Sequence, residues 1–216
     1  MWWTCGESYL CLSLVRATSE IMVVEGWVGP ETIDAAADAF SHESFRWVVA
    51  AGGPTGERRN RKRQTYAEIA ADGLIEAGVA SEKIIRAPAR DVETQRTYES
   101  AIAVREALVM KGLSPKTLTI FTRGVHARRS QLVYSKVFGR DTQISVISWQ
   151  PTSQHTKFWW QSSARAKDFF TETIGYVYEA LFDSGRTGEK AIIPQSRAAS
   201  NSMHQNAVIL LPKLLF

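Results

Sequence analysis

Residues 116–139, which read KTLTIFTRGVHARRSQLVYSKVFG, contain one complete strand-to-helix unit. The β-branched and aromatic residues at 116–122 predict a buried strand. Beyond Gly124, apolar residues at helical spacing predict a helix that ends at Gly139. A strand that leads through a glycine into a helix is the repeating unit of a parallel α/β sheet.

The rest of the chain repeats this alternation. Strands are predicted at 20–26, 45–53, 82–88, 116–122 and 142–148, and helices at 30–40, 64–79, 94–112, 126–139 and 163–182. The strands are nearly continuous hydrophobic runs, as is typical of strands buried on both faces. We therefore expect an α/β fold, a Rossmann-like three-layer sandwich with a mainly parallel five-stranded sheet and helices on both faces.

Length and composition indicate one globular domain, which we place at 19–183. The chain has 216 residues, of which 44% are hydrophobic and 22% charged. We expect 1–18 to be irregular, because the apolar run at 9–15 is shorter than the roughly 20 residues that span a bilayer. The alternative is the remnant of a membrane anchor. Residues 184–216 are rich in Ser, Arg, Gln and Asn, which predicts a poorly ordered tail.

Several functional classes are disfavoured by composition. The formal net charge of +4 is too small to indicate a nucleic-acid partner. Two cysteines and no metal-ligand spacing argue against a disulfide framework or a zinc site, so no metal is expected. No strand is followed by G-x-G-x-x-G, which argues against a nucleotide-binding oxidoreductase. The sequence indicates no particular cofactor.

Unusual residues follow four of the predicted strands. They are Glu25, Gly26 and Trp27, then Gly52 and Gly53, then Arg86, Arg90 and Asp91, and last Thr122, Arg123, Gly124 and His126. Because the carboxyl ends of parallel strands meet at one edge, and ligands bind there in open α/β sheets, we expect these clusters to form one site.

The chemistry of that edge favours an anionic small molecule. A glycine before a helix gives a ligand access to backbone N–H groups, and the helix dipole favours negative charge. His126 and Arg129 are three residues apart and share a helix face, while Arg123 lies just before them. Arginine can hold a phosphate or carboxylate through two hydrogen bonds. The alternative is that His126 caps the helix and the arginines are solvated.

The motifs at these positions resemble the bacterial envelope family typified by SanA, ElyC and YdcF. The matching segments, in order along the chain, are VVEGW at 23–27, AAGG at 50–53, Glu68 in TYAEIA, AGVASEKII at 77–85, TYESA at 97–101 and HARRS at 126–130. The resemblance implies a Rossmann-like sheet and a role at the cell envelope, in barrier function or peptidoglycan-related metabolism. It implies no particular reaction. Ala51 and Ser100 stand where the family has serine and asparagine, so roles of those side chains are not carried over.

The candidate catalytic residues are His126, Glu68 and Glu25, with His126 as acid or base. Glu25 ends a strand, where a general base is well placed, but it is also suited to accept backbone hydrogen bonds or to pair with an arginine. Glu68 matches the glutamate of the family. The candidate ligand-binding residues are Gly26, Gly52, Gly53, Arg90, Thr97, Ser100, Arg123, Gly124 and Arg129.

Two segments allow more than one interpretation. The basic run GERRNRKRQ, 56–64, is either a solvated loop, a lid over the anion site or a contact for anionic lipid head groups at a membrane surface. Trp159 and Trp160 are expected to pack the last helix against the sheet, with the alternative that one indole flanks the ligand cleft. The predicted function is an enzyme acting on an anionic small molecule of envelope metabolism. The alternative is a non-catalytic ligand-binding or regulatory protein.

Overall fold

The computed structural model describes residues 7, 9–11, 13, 19–56, 64–150 and 159–182. Its strands are β1 Ile21–Glu25, β2 Trp47–Gly52, β3 Ile84–Pro88, β4 Thr117–Arg123 and β5 Gln143–Trp149. They form one sheet in the order β3-β2-β1-β4-β5, and every pairing is parallel. The predicted Rossmann-like fold is therefore confirmed, with a sheet that is parallel throughout.

Five α-helices are described, of which the first four connect and cover these strands and the fifth follows β5. They are α1 Pro30–His42, α2 Tyr66–Glu76, α3 Arg96–Met110, α4 Ala127–Phe138 and α5 Ser163–Phe182. Each corresponds to a predicted helix, with ends that differ by a few residues. Helix α4 begins after His126 because Gly124–His126 form a 3-10 turn. Of the helices described, none is long and apolar enough to cross a membrane.

The sheet is buried on both faces because alternate strand residues point to opposite sides. Val23 and Ile120 pack with residues of α3 and α4 in one cluster. Met22, Val24 and Phe121 pack with residues of α1 and α2 in the other. The result is the predicted three layers.

The order of the strands places a switch point between β1 and β4. The chain builds β1, β2 and β3 outward in one direction and then returns to place β4 on the other side of β1. The helices that follow β1 and β4 therefore lie on opposite faces of the sheet and leave a crevice between the two carboxyl ends. The short turns Gly26–Val28 and Gly124–His126, which directly follow β1 and β4, lie at that crevice.

Helix α5 lies outside these layers and packs against α4. Trp159 is buried and stacks on Phe169 of α5, with ring centroids 4.2 Å apart, whereas Trp160 is half exposed. Trp159 thus packs on residues of α5 itself, and the predicted packing of this helix against the sheet through Trp159 stays a prediction.

Some predictions fall on parts of the chain that lie outside the described residues. These are most of 1–18, the basic residues at 57–63 and the whole of 184–216. Within 1–18, Glu7, Tyr9 and Leu10 are helical, and Leu10 is buried.

Gly26 is the most constrained glycine at the crevice. A Cβ at this position would lie 2.0 Å from the backbone oxygen of Tyr66, which begins α2. We expect Gly26→Ala to lower the free energy of unfolding by roughly 2–3 kcal/mol, because backbone must move to relieve the contact. Urea unfolding of the purified variant measures this loss.

The matched control is Gly56→Ala, since a Cβ at Gly56 would meet no atom within 4 Å. We expect that variant to unfold like the wild-type protein, within about 0.5 kcal/mol. Equal stability of the two variants would contradict the close approach of α2 to the end of β1.

Candidate functional site

The predicted clusters lie along the carboxyl edge of the sheet. Glu25 ends β1, Gly53 follows β2, Arg90 follows β3 and His126 follows β4. Among them, the residues of β1 and β4 flank the switch point. This is the place where an open α/β sheet offers a ligand a crevice.

Glu25 is the buried anchor of this crevice. Its side chain is 3% exposed. Thr122, on the neighbouring strand, donates its hydroxyl to Glu25 Oε2 over 2.5 Å, and Ser130 of α4 donates to Oε1 over 2.9 Å. The structure thus supports the reading of Glu25 as a hydrogen-bond acceptor, with side-chain hydroxyls as its donors.

His126 stands between two carboxylates. Its Nδ1 lies 2.9 Å from Oε2 of Glu172, a residue of α5. Its Nε2 lies 3.6 Å from Oε2 of Glu25, which is too far for a hydrogen bond. Among the described residues Nε2 has no hydrogen-bond partner, although it is buried. Nη2 of Arg129 also lies 3.1 Å from Nδ1, but the contact with Glu172 is the shorter of the two. We therefore assign the Nδ1 proton to the bond with Glu172, which leaves Nε2 as the nitrogen without a hydrogen-bond partner.

Arg129 holds the same carboxylate from the other side. Its Nε donates to Glu172 Oε2 over 2.7 Å and its Nη2 to Oε1 over 3.0 Å. This paired geometry is the one that guanidinium and carboxylate groups favour. Gly175 leaves room for it, because a Cβ there would lie 3.1 Å from Cδ of Arg129. Because Nη2 also contacts Nδ1 of His126, Arg129 orients both the Glu172 carboxylate and the imidazole ring.

The electrostatics of Glu172 reflect both partners. Burial raises the pKa of this carboxyl, but the hydrogen bonds and charges of His126 and Arg129 outweigh burial and lower the pKa from 4.5 to about 2. Glu172 is therefore ionised in the folded protein at neutral pH. It supplies the negative charge that fixes the His126 tautomer.

Two aromatic residues complete the surroundings. Trp27, in the 3-10 turn after β1, meets the His126 ring edge to face at 4.6 Å between centroids and is 43% exposed. It therefore lies between His126 and solvent. Tyr134 of α4 is fully buried, and its hydroxyl has no partner among the described residues. Burial, followed by the charge of Glu25, raises the pKa of Tyr134 well above its usual value.

The side chain of Glu68 stabilises the start of α2. Its carboxylate accepts from the backbone N–H of Thr65 over 2.7 Å, and its own N–H donates to the Thr65 hydroxyl over 3.2 Å. This is a capping box at the start of α2, and the Thr-x-x-Glu spacing in the sequence is its signature. None of the contacts of the described residues joins Glu68 to His126. Its catalytic role stays a prediction, and we leave it out of the proposed centre.

The glycines at the edge bring backbone segments together. A Cβ at Gly52 would lie 2.6 Å from Cβ of Tyr66, and one at Gly53 would lie 3.3 Å from the Arg90 oxygen. Gly124 has a φ of +52°, a backbone conformation that other residues adopt only with strain.

Some of the predicted ligand-binding side chains have a partner within the described chain and others do not. Arg129 forms an ion pair with Glu172. The side chains of Arg90, Thr97, Ser100 and Arg123 make no hydrogen bond or ion pair with any part of the described chain. Arg90 is exposed, whereas Arg123 is half-buried at the end of β4, three residues before His126. Arg123 is thus the cation best placed to meet a ligand in the crevice.

Backbone N–H groups add to this positive character. Helix α1 begins after Gly29 and helix α4 after His126, and neither start has a side-chain cap. Both helices follow strands that end at the crevice. In α1, however, Pro30 has no N–H group, the Thr32 N–H donates to Gly29 and Glu31 adds a negative charge. Of the two starts, the uncapped turn Gly124–His126 that leads into α4 is therefore the one suited to an anion. Within the described residues, no group of three or more His, Cys, Asp or Glu side chains could hold a metal ion.

Sequence reasoning missed Glu172, Ser130 and Tyr134. Glu172 lies 46 residues beyond His126 in an aromatic stretch, DFFTETIGYVYEALF. An acid in such a stretch is a weak signal of a buried partner. Ser130 lies in the segment HARRS, 126–130, whose pattern does not indicate a buried hydroxyl.

Comparisons with known proteins do not assign this chain to a family. No protein-family model matches it, and no curated protein sequence is significantly similar. The resemblance to the SanA, ElyC and YdcF family therefore stays a prediction.

The lowered pKa of Glu172 has a measurable consequence for stability. Because this pKa falls from 4.5 to about 2 on folding, ionised Glu172 stabilises the fold above pH 4.5. That contribution is lost as the pH falls towards 2, and it amounts to roughly 2–3 kcal/mol. We expect the free energy of unfolding of Glu172→Gln to fall less steeply than that of the wild-type protein as the pH is lowered from 4.5 towards 2. Urea unfolding at a series of pH values measures it.

The control is Glu76→Gln, which removes an exposed carboxylate at the end of α2. We expect this variant to keep the wild-type slope of stability against pH in the acid range. If Glu172→Gln also kept that slope, the ion pair with Arg129 and His126 would not form in solution.

Proposed function

We propose that the protein binds a phosphorylated or otherwise anionic small molecule at the carboxyl edge of the sheet and transfers a proton to or from it through His126. The main observation behind the proposal is that one ring nitrogen of His126 is bound by a carboxylate and the other has no partner. Glu172 holds Nδ1 at 2.9 Å, while the buried Nε2 has no hydrogen-bond partner in the described part of the chain. Buried polar groups without partners are rare and point to a functional use.

The pairing with Glu172 supports a role in acid–base chemistry. A carboxylate on one imidazole nitrogen fixes the tautomer and stabilises the imidazolium that forms when the other nitrogen accepts a proton. Arg129 fixes the carboxylate in turn, through two hydrogen bonds. This chain of contacts holds Nε2 in one orientation, as general acid–base catalysis requires.

The neighbouring hydroxyls are unsuited to nucleophilic attack. Thr122 and Ser130 both donate to Glu25, and neither donates to His126. A serine activated as a nucleophile would instead donate to the base. We therefore propose that His126 acts directly on a water molecule or on a group of the ligand, and that Glu25 accepts hydrogen bonds and places a second carboxylate beside Nε2.

The anionic character of the ligand rests on Arg123 and the turn that follows it. Arg123 is half-buried and unpaired among the described residues, and the 3-10 turn Gly124–His126 that leads into α4 lacks a side-chain cap. Both features favour negative charge at the switch point. The resemblance to the SanA, ElyC and YdcF family would place such a reaction in cell-envelope or peptidoglycan-related metabolism. Association with a membrane surface also stays a prediction, because most of the basic run that suggests it lies outside the described residues.

A second candidate is a binding or regulatory protein that does not convert its ligand. The observation that favours it is that His126 is almost completely shielded from solvent. The residue is only 5% exposed, with Trp27 packed on its ring. In this alternative the histidine links Glu25 to Glu172, and Trp27 reports ligand binding by changing position.

The first test concerns anion binding. We expect Arg123→Ala to weaken binding of inorganic phosphate by about 10-fold to 100-fold, the range for a lost charge-assisted hydrogen bond. Isothermal titration calorimetry at low ionic strength measures the change. The control is Arg140→Ala, which removes the same charge from an exposed position after α4, at the opposite edge. Equal binding by both variants would contradict an anion site at the end of β4.

The second test separates catalysis from binding. We expect the wild-type protein to convert at least one member of a panel of phosphate monoesters and diphosphates, followed by phosphorus NMR. We expect His126→Gln to reduce that turnover by at least about 100-fold while phosphate still binds. In the wild-type protein, the nitrogen NMR signal of His126 Nε2 should shift when phosphate is added. Phosphate binding without turnover of any panel member would favour the non-catalytic candidate.

A further inference from the structure

Helix α5 attaches to the domain through its charged side. Arg165, Glu172 and Glu179 recur every seven residues, so they lie on one side of the helix. Each contacts a charged residue of another segment. Arg165 pairs with Glu7, Glu172 with Arg129, and Glu179 with Lys136. Glu179 is the only residue of the described helix that is fully buried.

The opposite side of α5 is apolar and exposed. Phe170, Ile174, Val177 and Leu181 have exposed fractions of 51%, 69%, 46% and 71%. We call these four residues the apolar stripe. A helix on the surface of a domain normally buries its apolar side and exposes its charged side. Helix α5 turns its charged residues inward, together with Phe169 and Tyr176, and leaves the stripe exposed. The exposed stripe indicates that another surface covers it.

We propose that the apolar stripe pairs with the α5 helix of a second copy of this chain. The residues of the stripe are separated by four, three and four positions. This is the spacing of the core positions of a coiled coil, at which side chains of two helices interlock. The charged residues that contact the domain lie at the heptad position farthest from this seam. The helix can therefore serve both contacts without conflict.

The area of the stripe fits a dimer contact. Tyr178 and Phe182 extend it, with exposed fractions of 50% and 67%. Together these six side chains expose on the order of 600 Å² per copy, given the size of aromatic residues. This exposed area is as large as the largest apolar patches found on monomers, which measure about 300–600 Å². It also reaches the lower end of specific interfaces, about 600–1,000 Å² per partner.

A second copy suits the stripe better than a lipid surface does. A helix that lies in a membrane interface carries several lysines and arginines beside its apolar face. In α5 the exposed charges are Lys167 and Asp168, which cancel. The charges that would normally face lipid head groups are turned inward, towards the domain.

The pairing does not depend on the proposed function, but it would act on the same helix. Glu172, which contacts His126, lies between Phe170 and Ile174 in the chain, on the opposite side of the helix from the stripe. A partner helix would restrain the segment that orients the imidazole. Without it, α5 is held to the domain by aromatic contacts and by ion pairs, which salt weakens where they are exposed.

The test is sedimentation velocity of the full chain over loading concentrations from about 1 to about 100 µM, where mass action shifts a monomer–dimer equilibrium. We expect the wild-type protein to be dimeric at the upper end. We expect Ile174→Lys to raise the dimer dissociation constant by at least about 30-fold, because it places an unpaired charge in the seam. Ile174 is exposed, so thermal unfolding of the variant should stay close to that of the wild-type protein.

The control is Asp168→Lys, a larger change of charge at an exposed position beside the stripe. We expect it to leave the dimer in place. A wild-type protein that is monomeric throughout this range would overturn the proposal, as would a dimer that Ile174→Lys leaves intact. Monomeric protein that binds vesicles of phosphatidylglycerol and phosphatidylcholine, and loses this binding in Ile174→Lys, would identify lipid as the partner and equally overturn it.

Discussion

The buried carboxylate of Glu25 is the constraint on which the site depends. It lies at the end of β1, where a buried charge without partners would cost several kcal/mol. Thr122 from β4 and Ser130 from α4 both donate to it. These bonds fix the two strands at the switch point and the helix beyond them relative to one another. His126, between Thr122 and Ser130 in the chain, is thereby brought next to the carboxylate.

A chain of polar contacts extends from this anchor to the outermost helix. His126 lies beside Glu25 and contacts Glu172 through Nδ1, and Arg129 binds the Glu172 carboxylate as well. Helix α5 is thus tied to the domain by three ion pairs as well as by aromatic contacts. The same arrangement accounts for the inward charged side of α5, for its outward apolar stripe and for the low pKa of Glu172.

Similar side chains have different tasks because their partners differ. Arg129 is paired with a carboxylate, so it positions its neighbours, whereas Arg123 is unpaired among the described residues and remains available to a ligand. Glu68 serves the start of α2, whereas Glu25 and Glu172 flank the imidazole. A charged residue at the edge of the sheet is therefore a candidate for ligand binding only when no protein group already satisfies it.

The sequence by itself determined the elements and their gathering at one edge. Hydrophobic runs and helical spacing are local properties, and parallel connection follows from their alternation, so Glu25, Arg123 and His126 could be placed together in advance. Glu68 was predicted as a catalytic residue, and the structure shows that its carboxylate caps the start of α2 together with Thr65. Only the tertiary structure decided that Glu172 meets His126, that Arg129 is already paired and that α5 turns its apolar stripe outward. These features depend on how one helix docks on another. That docking arises from side-chain contacts between residues distant in the chain, which no local pattern specifies.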